Sequence, residues 1–270
     1  MSLRPRRHVA SIACIVILTA AAAITPSRQL LNAQTAPQID FLHIAYMQLK
    51  PESVSQWTAL QRQEVIPAQR KGGLLWRETW NAGAVGGDTY ERILLTPVTD
   101  LSQFDDPGFL EKALGPQGAQ ELLEKNRRLI TGNRAYIARI RRDLGFGSRP
   151  PTPRVGVIST ITVVASRREE FEQGLKGPIV MAMKDANVDQ FFVWQIIYGG
   201  DANQYLTVLM FDNYEQLANG HPDALAWAMR GDDISRILGG PNSPIAKIER
   251  TIVQYIEDLS YRPPPVPAAK

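Results

Sequence analysis

The chain has 270 residues and a formal net charge of +3, with 44% apolar and 8% aromatic residues. This composition is typical of a globular protein with a hydrophobic core, and the length allows one large domain or two of roughly 100–120 residues. The single cysteine is Cys14. Beyond it the chain cannot form disulfides, thiolate metal sites or a cysteine nucleophile.

Residues 1–33 have the pattern of a secretory signal peptide. Three arginines within the first seven residues precede an apolar run of 16 residues, 9–24, and small residues follow it. We expect cleavage after Ala33 or after one of the alanines at 20–23, and a periplasmic or extracellular protein. The alternative is an uncleaved membrane anchor, although the run is shorter than the roughly 20 residues of a membrane span.

Loss of this segment changes the charge of the protein. Residues 1–33 contain four arginines and no acid, so the remaining chain has 26 basic and 27 acidic residues. A nucleic-acid-binding protein needs a basic face, and a near-neutral chain gives no sign of one. We therefore expect no nucleic-acid partner, no stable membrane span after cleavage, and a monomer or homodimer.

The first half of the mature chain, residues 38–148, follows a β-α-β-β-α-β order. Apolar residues at helical spacing and β-rich runs around glycine turns indicate its elements. The predicted elements are a strand over 41–49, a helix over 54–65 with Pro67 marking its end, strands over 74–81 and 90–96, a helix broken at Gly115-Pro116, and a strand over 136–144.

The second half, residues 155–262, repeats this order after a proline-rich linker at 149–154, and a proline-rich tail follows at 263–270. Its predicted elements are a strand over 157–165, a helix over 169–183 interrupted at Gly177-Pro178, strands over 191–198 and 205–211, a helical region broken at 238–241, and a strand over 252–259. Trp80 and Trp194 are 114 positions apart, and Tyr90 and Tyr205 are 115 apart. Ordered matches at nearly constant offsets predict a tandem repeat.

Three features suggest a known fold: the run Gly72-Gly73-Leu74-Leu75-Trp76, the paired tryptophans and the paired Gly-Gly-Asp turns. Over residues 38–262 the chain resembles a tandem member of the dimeric α+β barrel superfamily, which contains the NIPSNAP, EthD and antibiotic-biosynthesis-monooxygenase-like families. The resemblance implies an α+β fold in which two ferredoxin-like repeats close into one pseudo-dimeric barrel. Some relatives are cofactor-free oxygenases and some bind haem, so the fold alone does not decide the function.

Few residues of the mature chain suit metal or nucleophilic chemistry. Its only histidines are His43 and His221, and neither has metal-ligand spacing around it. The chain has no nucleophile elbow, no phosphate loop and no dinucleotide-binding glycine motif in the right context. We expect no metal and no cofactor.

A comparison of the two halves suggests a ligand site. At matched strand positions the first half has His43, Glu78, Arg92 and Arg139, where the second has Ser159, Phe192, Thr207 and Gln254. Buried charges are costly unless they are paired or used. We predict an asymmetric pocket in the barrel interior for an anionic or aromatic small molecule, with Trp80 and Trp194 as walls. The alternatives are salt bridges at the barrel rim and tryptophans that only fill the core.

Three functions follow from these observations. The first is binding of a small organic ligand inside the barrel. The second is a cofactor-independent oxygenase or isomerase in the same pocket, with His43 as general base and Arg139 or Arg92 stabilising a developing oxyanion. The third is a structural partner-binding protein without a pocket.

Overall fold

The computed structural model describes residues 39–150, 153–185, 187–218 and 242–262. All of them belong to a compact unit spanning Pro37–Lys270. The predicted signal peptide, His221, the helix break at 238–241 and the proline-rich tail lie outside the described residues. Within the described ranges, no helix is both long and apolar enough to cross a bilayer.

Eight antiparallel strands close into a barrel in the order β1-β3-β2-β8-β5-β7-β6-β4. The strands are rich in β-branched and aromatic residues, and glycines with positive φ at 86 and 199 form the turns of the two predicted hairpins. Their bounds are β1 Phe41–Leu49, β2 Glu78–Val85, β3 Glu91–Val98, β4 Ile130–Ile140, β5 Val155–Val163, β6 Phe192–Tyr198, β7 Gln204–Phe211 and β8 Ile245–Tyr255. The predicted α+β barrel is confirmed.

The helices lie outside the barrel. They are α1 Val54–Leu60, α2 Ile66–Lys71, α3 Phe109–Arg127, α4 Arg168–Gly174 and α5 Val180–Asp185. A π-turn at Gln61–Val65 joins α1 to α2, and another at Leu175–Ile179 joins α4 to α5. The prediction that Pro67 ends the first helix is wrong, because the helical backbone continues from α1 through the π-turn into α2, which contains the proline at its second position. The predicted break in α3 is present, since Gly115 has φ +74° before Pro116.

Both long final strands begin earlier than predicted. β4 starts at Ile130, and its residues 131–135 are exposed, so the alternating apolar pattern that would reveal a strand is missing there. β8 likewise starts at Ile245 with mostly exposed residues. Both segments are strands because they pair with β1 and β5, respectively.

Side chains alternate between the barrel interior and the helix-covered outer face. The interior core includes Leu42, Ile44, Trp80, Ile93 and Leu95 of the first four strands, with Ile158, Trp194, Ile196, Leu206, Val208, Met210 and Val253 of the last four. Two outer cores lie under the helices, one around Trp57 and one around Phe171, and both of these rings are fully buried.

The strand order is the same in the two halves of the barrel: β4-β1-β3-β2, followed by β8-β5-β7-β6. The halves join through β2–β8 and β4–β6 pairs. The segment after β4 returns to pair at Phe146↔Phe191, and the segment after β8 returns to pair at Arg77↔Tyr261. These returning segments bring residues beyond the last strands to one end of the barrel.

Candidate functional site

Glu78 is a carboxylate in the apolar barrel interior. Along β2 and the residues just before it, Trp76 and Trp80 belong to the interior core. The alternation of a strand places Glu78 on the same face. Arg77 and Thr79 point the other way and hydrogen-bond to the helix side and to the segment after β8. The face of Glu78 is therefore set by the strand pattern of its neighbours.

Three groups satisfy the fully buried Glu78 carboxylate. Its Oε1 accepts a hydrogen bond from Arg262 Nε and forms a salt bridge with Arg149. Its Oε2 accepts from Trp80 Nε1 at 3.2 Å. A buried charge is tolerable when it is paired and hydrogen-bonded in this way. One carboxylate thus serves two guanidinium groups.

Arg262 is the less engaged of these two arginines. Its Cζ lies 3.8 Å from the centroid of the Trp76 ring, a cation–π geometry. Only its Nε donates to Glu78, and its two Nη atoms make no hydrogen bond to any residue within the described ranges. Burial lowers the pKa of Arg262, while the Glu78 carboxylate opposes that effect. A second anion would stabilise this guanidinium further.

These groups border a cavity of about 380 Å³ at the end of the barrel. Its polar lining consists of Glu78 and arginines from the segments that follow β4 and β8. Apolar side chains form most of the wall: Ile39, Leu42, Trp76, Leu95, Ile140, Phe146, Phe191, Phe192, Val193, Trp194 and Met210. This volume and this mixture of apolar walls with few polar groups are typical of small-molecule sites. We refer to it as the barrel-end cavity.

A short returning segment closes one side of the cavity. Phe146 N donates to Phe191 O at 2.9 Å, which holds the segment after β4 against the start of β6. Gly147 has φ +81°, and a Cβ there would lie 2.2 Å from Asp189 O. The close approach of the two chains therefore requires glycine at this position. It also brings Arg149 to the cavity.

Two further arginines line the cavity, but their guanidinium groups are paired with carboxylates that are not among the residues lining it. Arg141 donates to Asp143, Glu172 and Gln195, and its hydrogen bonds to the Glu172 and Asp143 carboxylates raise its pKa. Arg142, at the exposed rim, donates to Asp40 and to the carbonyl of Ile39. Arg141 thus connects β4 to β6 and α4 through its hydrogen bonds. Among the described residues of this cavity, Arg262 is the arginine whose two Nη atoms are not already hydrogen-bonded.

The prediction that His43 faces the barrel interior is wrong. On β1 the interior residues are Leu42 and Ile44, so His43 points to the outer face together with Ala45, a member of the helix-side core. Burial lowers the pKa of His43. Because it is not among the residues that line the barrel-end cavity, it cannot act as a base there.

Arg92 and Arg139 also lie outside the barrel interior, contrary to the prediction. Arg92 faces outward on β3 and donates through Nη1 to Asn81 Oδ1 at 2.7 Å. Arg139 is exposed on β4, with its Cζ 5.8 Å from the centroid of the Phe41 ring. In both strands the alternating neighbours fill the interior, and the charged residue occupies the other face.

The two predicted tryptophan walls differ. Trp194 lines the barrel-end cavity. Trp80 is packed instead: its ring lies 5.0 Å from that of Tyr255, and a Cβ at Gly156 would lie 3.3 Å from it. Trp80 contributes to the site only through its hydrogen bond to Glu78.

Sequence reasoning missed Arg149 and Arg262. Both lie outside the predicted strands, next to proline-rich stretches that indicate spacers. No local signal marks either residue as buried, because each reaches Glu78 only through the returning segments. The described part of the chain contains no group of three or more His, Cys, Asp or Glu side chains that could hold a metal ion.

No protein-family model matches the chain, and no curated protein matches it in sequence. Solved structures do share its fold. A candidate monooxygenase from Fusobacterium nucleatum subsp. nucleatum is 10% identical with a TM-score of 0.57, over 84% of this chain and 100% of that one. A candidate monooxygenase from Lactobacillus acidophilus is 9% identical with a TM-score of 0.54, over 83% and 97% of the two chains.

A mutant chlorite dismutase from Candidatus Nitrospira defluvii is also similar, with 10% identity and a TM-score of 0.52 over 82% of this chain and 94% of that one. These structures have the dimeric α+β barrel fold, and the present chain shares that fold. Identities this low establish the fold and leave the chemistry to be argued from the site.

Proposed function

We propose that this protein binds a small organic anion with an aromatic or otherwise apolar body in the barrel-end cavity. The observation that carries the proposal is the placement of Arg262. Its guanidinium stacks on Trp76, is anchored through Nε by Glu78, and has both Nη donors without a described partner in an otherwise apolar cavity.

An anion suits this arrangement for electrostatic reasons. Charge interactions are stronger in a cavity with apolar walls than in water, because the effective dielectric constant is lower. The two Nη groups form a fork that matches the two oxygens of a carboxylate. Glu78 fixes the orientation of the fork, and its own oxygens are already engaged by Arg149, Arg262 and Trp80.

The apolar walls specify the rest of the ligand. Trp76, Trp194, Phe146 and Phe192 offer ring surfaces around the cavity, and a planar aromatic body can stack on them. This cavity differs from the asymmetric pocket predicted from sequence, because Arg149 comes from the linker, Arg262 comes from the second half, and the aromatic walls come from both halves.

The proposal can be tested with pairs of probes that differ only in charge. Aromatic carboxylates of one to three rings and their primary amides are titrated calorimetrically into the purified protein. We expect each carboxylate to bind more tightly than its amide, because only the carboxylate satisfies the Arg262 fork. Arg262→Gln should weaken carboxylate binding by about tenfold or more and leave amide binding nearly unchanged.

Arg139→Gln is the matched control, because it removes an exposed arginine of β4 that does not line the cavity. Equal affinity for acids and amides, or an equal loss in both variants, would contradict the proposal. Native mass spectrometry of protein recovered from its own cells gives an independent test, since a retained small acid would identify the ligand class.

Catalysis as a cofactor-independent oxygenase or isomerase is the alternative. The monooxygenase descriptions of two structural neighbours favour it. However, His43 lies on the outer face, and Glu78, the acid of the cavity lining, already accepts hydrogen bonds through both oxygens. Oxygen uptake during turnover of a bound aromatic acid, abolished by Glu78→Gln, would favour the enzyme over the binding protein.

The third predicted function, a partner protein without a pocket, is not supported, because a solidly packed barrel would leave no cavity of this size. We further propose that the two halves are tandem ferredoxin-like repeats related to the NIPSNAP and EthD families. Their identical strand order and the two π-turns, whose first residues lie 114 positions apart, support the duplication.

We also propose that the protein is exported to the periplasm or beyond, on the basis of the basic and apolar pattern of residues 1–33. Intact-mass analysis of protein from the cell envelope should show a chain beginning at Gln34 or at one of residues 21–24. A chain that retains the arginines of its first seven residues in a membrane fraction would indicate an anchor instead.

A further inference from the structure

A second polar cavity lies outside the barrel, over the junction of β2 and β8. Asn81 and Gln254, which pair across this junction, both line it, and its volume is about 1080 Å³. We call it the β2–β8 groove. Its lining contains five arginines and only two acids, with Arg62, Arg92 and Arg154 as the arginines that it does not share with the barrel-end cavity.

Within the described residues, Arg92 has no counter-ion in this groove. Its side chain is buried, and its Nη1 donates to three neutral oxygens: Asn81 Oδ1, Thr89 O and Glu91 O, at 2.7–3.0 Å. No described carboxylate lies within 4.0 Å of it, and its Nε and Nη2 make no hydrogen bond to a described residue. Burial lowers the pKa of Arg92 because the charged form is desolvated.

A second buried arginine, Arg77, shows how the fold alone can satisfy all the donors of a guanidinium group. Arg77 also has no described acid partner, but each of its nitrogens donates to a neutral oxygen. Nε bonds to Thr79 Oγ1, Nη1 to Gln69 Oε1 and Nη2 to Gln61 Oε1, at 2.9–3.2 Å. Arg77 is thus satisfied by the fold itself, whereas Arg92 retains donors in a groove.

At the opposite junction of the barrel, between β4 and β6, the arginine is paired with acids, one of which, Asp143, has an equivalent in Asp258 of the groove lining. There Arg141 is held by Glu172 and Asp143. The position 114 residues before Glu172 is Thr58, and the position 115 residues after Arg141 is Ile256. One junction is closed by an internal ion network, and the other presents an arginine to a groove.

The remaining groups favour a tetrahedral oxyanion. Asn81 Oδ1 accepts from Arg92 and from Gly83 N, which leaves its amide nitrogen as a donor. Arg154 is exposed at the rim, and Arg62 reaches from the helix side, although it is paired with Asp258 at 2.6 Å. Donors that approach from a strand, a helix and a loop suit the several acceptor directions of a phosphate better than a planar carboxylate.

We propose that the β2–β8 groove is a binding site for a phosphate-type oxyanion, either inorganic phosphate or a phosphomonoester, with Arg92 as its main donor. The groove and the barrel-end cavity share Arg149 and Arg262 in their linings, but Arg92, the main donor of the proposed oxyanion site, lines only the groove.

The test is a titration of the purified protein with sodium phosphate, against sodium chloride at equal ionic strength, followed by calorimetry. We expect saturable phosphate binding that Arg92→Gln weakens by about tenfold or more and Arg154→Gln by about threefold. Arg139→Gln is the control and should bind phosphate as the unmodified protein does. Phosphate heat that chloride reproduces, or that survives Arg92→Gln unchanged, would overturn the proposal.

Two further measurements keep the result interpretable. Arg92→Lys retains the charge and loses the fork, so a folded Arg92→Lys variant with weakened phosphate binding supports the site even if Arg92→Gln unfolds. Phenyl phosphate separates the two sources of the oxyanion: tighter binding than phosphate, still dependent on Arg92, indicates a phosphomonoester. Phenyl phosphate and phosphate binding that depend on Trp194 and not on Arg92 would place the anion in the barrel-end cavity and refute the groove.

Discussion

The two halves of the barrel place different chemistry at equivalent positions 114 residues apart. Between sheet and helices, Gln61 and Arg77 of the first half correspond to Leu175 and Phe191 of the second. All four are buried. The same packing space is thus filled by a hydrogen-bonded polar pair in one half and by an apolar pair in the other.

The barrel interior shows the same contrast. Glu78 and Phe192 are 114 positions apart, as are Trp80 and Trp194, yet only Trp194 borders the cavity. The Trp80 ring packs against Tyr255 and lies over Gly156, where the missing Cβ leaves room for it. The candidate site thus arises where two similar halves differ: Trp80 is packed, and its counterpart Trp194 borders a cavity.

The largest effect is expected at the polar pair of the outer core. Arg77→Ala should lower the free energy of unfolding by about 3–5 kcal/mol, because it opens a cavity and leaves Gln61, Gln69 and Thr79 with unpaired buried groups. Urea denaturation measures the loss. The double change Gln61→Leu with Arg77→Phe, which copies the second half, should recover most of it. A double variant as unstable as Arg77→Ala would show that the two halves do not pack equivalently there.

The next largest effect is the loss of stability on replacing Trp80 or Trp194, and we expect this loss to differ between the two tryptophans. Trp80→Ala should cost about 3–4 kcal/mol of stability, because it empties packed space and removes a donor from the Glu78 carboxylate. Trp194→Ala should cost about 1–2 kcal/mol less, since part of its surface already faces a cavity. Trp194→Ala should also weaken aromatic-acid binding. Equal destabilisation by both substitutions in thermal or urea unfolding would remove the distinction.

Acid should weaken the second half through Glu172. Hydrogen bonds from Arg141, and from Tyr205 to a smaller extent, hold the pKa of Glu172 below the usual value of a glutamate side chain. A carboxyl with a depressed pKa stabilises the fold above its unfolded pKa, and this contribution is lost as pH falls through the folded value. Urea unfolding should therefore be insensitive to this group between pH 6 and 7 and lose roughly 1–2 kcal/mol below about pH 4.

Glu172→Gln should remove that part of the acid dependence while lowering stability near neutral pH. The first half has Thr58 at the corresponding position and no such group. If the pH profile of Glu172→Gln runs parallel to that of the unmodified protein, the Arg141 network does not titrate as described.

The smallest effect is expected for Arg139→Gln, which installs the residue found at Gln254, 115 positions later. Arg139 is exposed and contacts Phe41 only through its guanidinium, so the change in stability should stay within about 0.5 kcal/mol. A decrease of more than about 1 kcal/mol in the free energy of unfolding in urea would show that Arg139 makes a stabilising contact on this exposed strand face.

Much of the fold follows from local patterns. The glycine turns at 86 and 199, each between two β-rich runs, predict the hairpins β2–β3 and β6–β7, and the break at Gly115 is visible as Gly-Pro. The assignment of faces is less secure, since a one-residue shift in register reverses it. His43, Arg92 and Arg139 were placed inside the barrel on the grounds of charge, whereas their strand neighbours place them outside.

By itself the sequence determined the α+β order and the approximate positions of the eight barrel strands, because these depend on periodicity and composition. The tertiary structure alone decided which charges meet. Arg262 and Glu78 are 184 positions apart, and they come together only when the segment after β8 returns to the start of β2. Contacts of that kind depend on the closure of the barrel, and no local pattern of side chains encodes them.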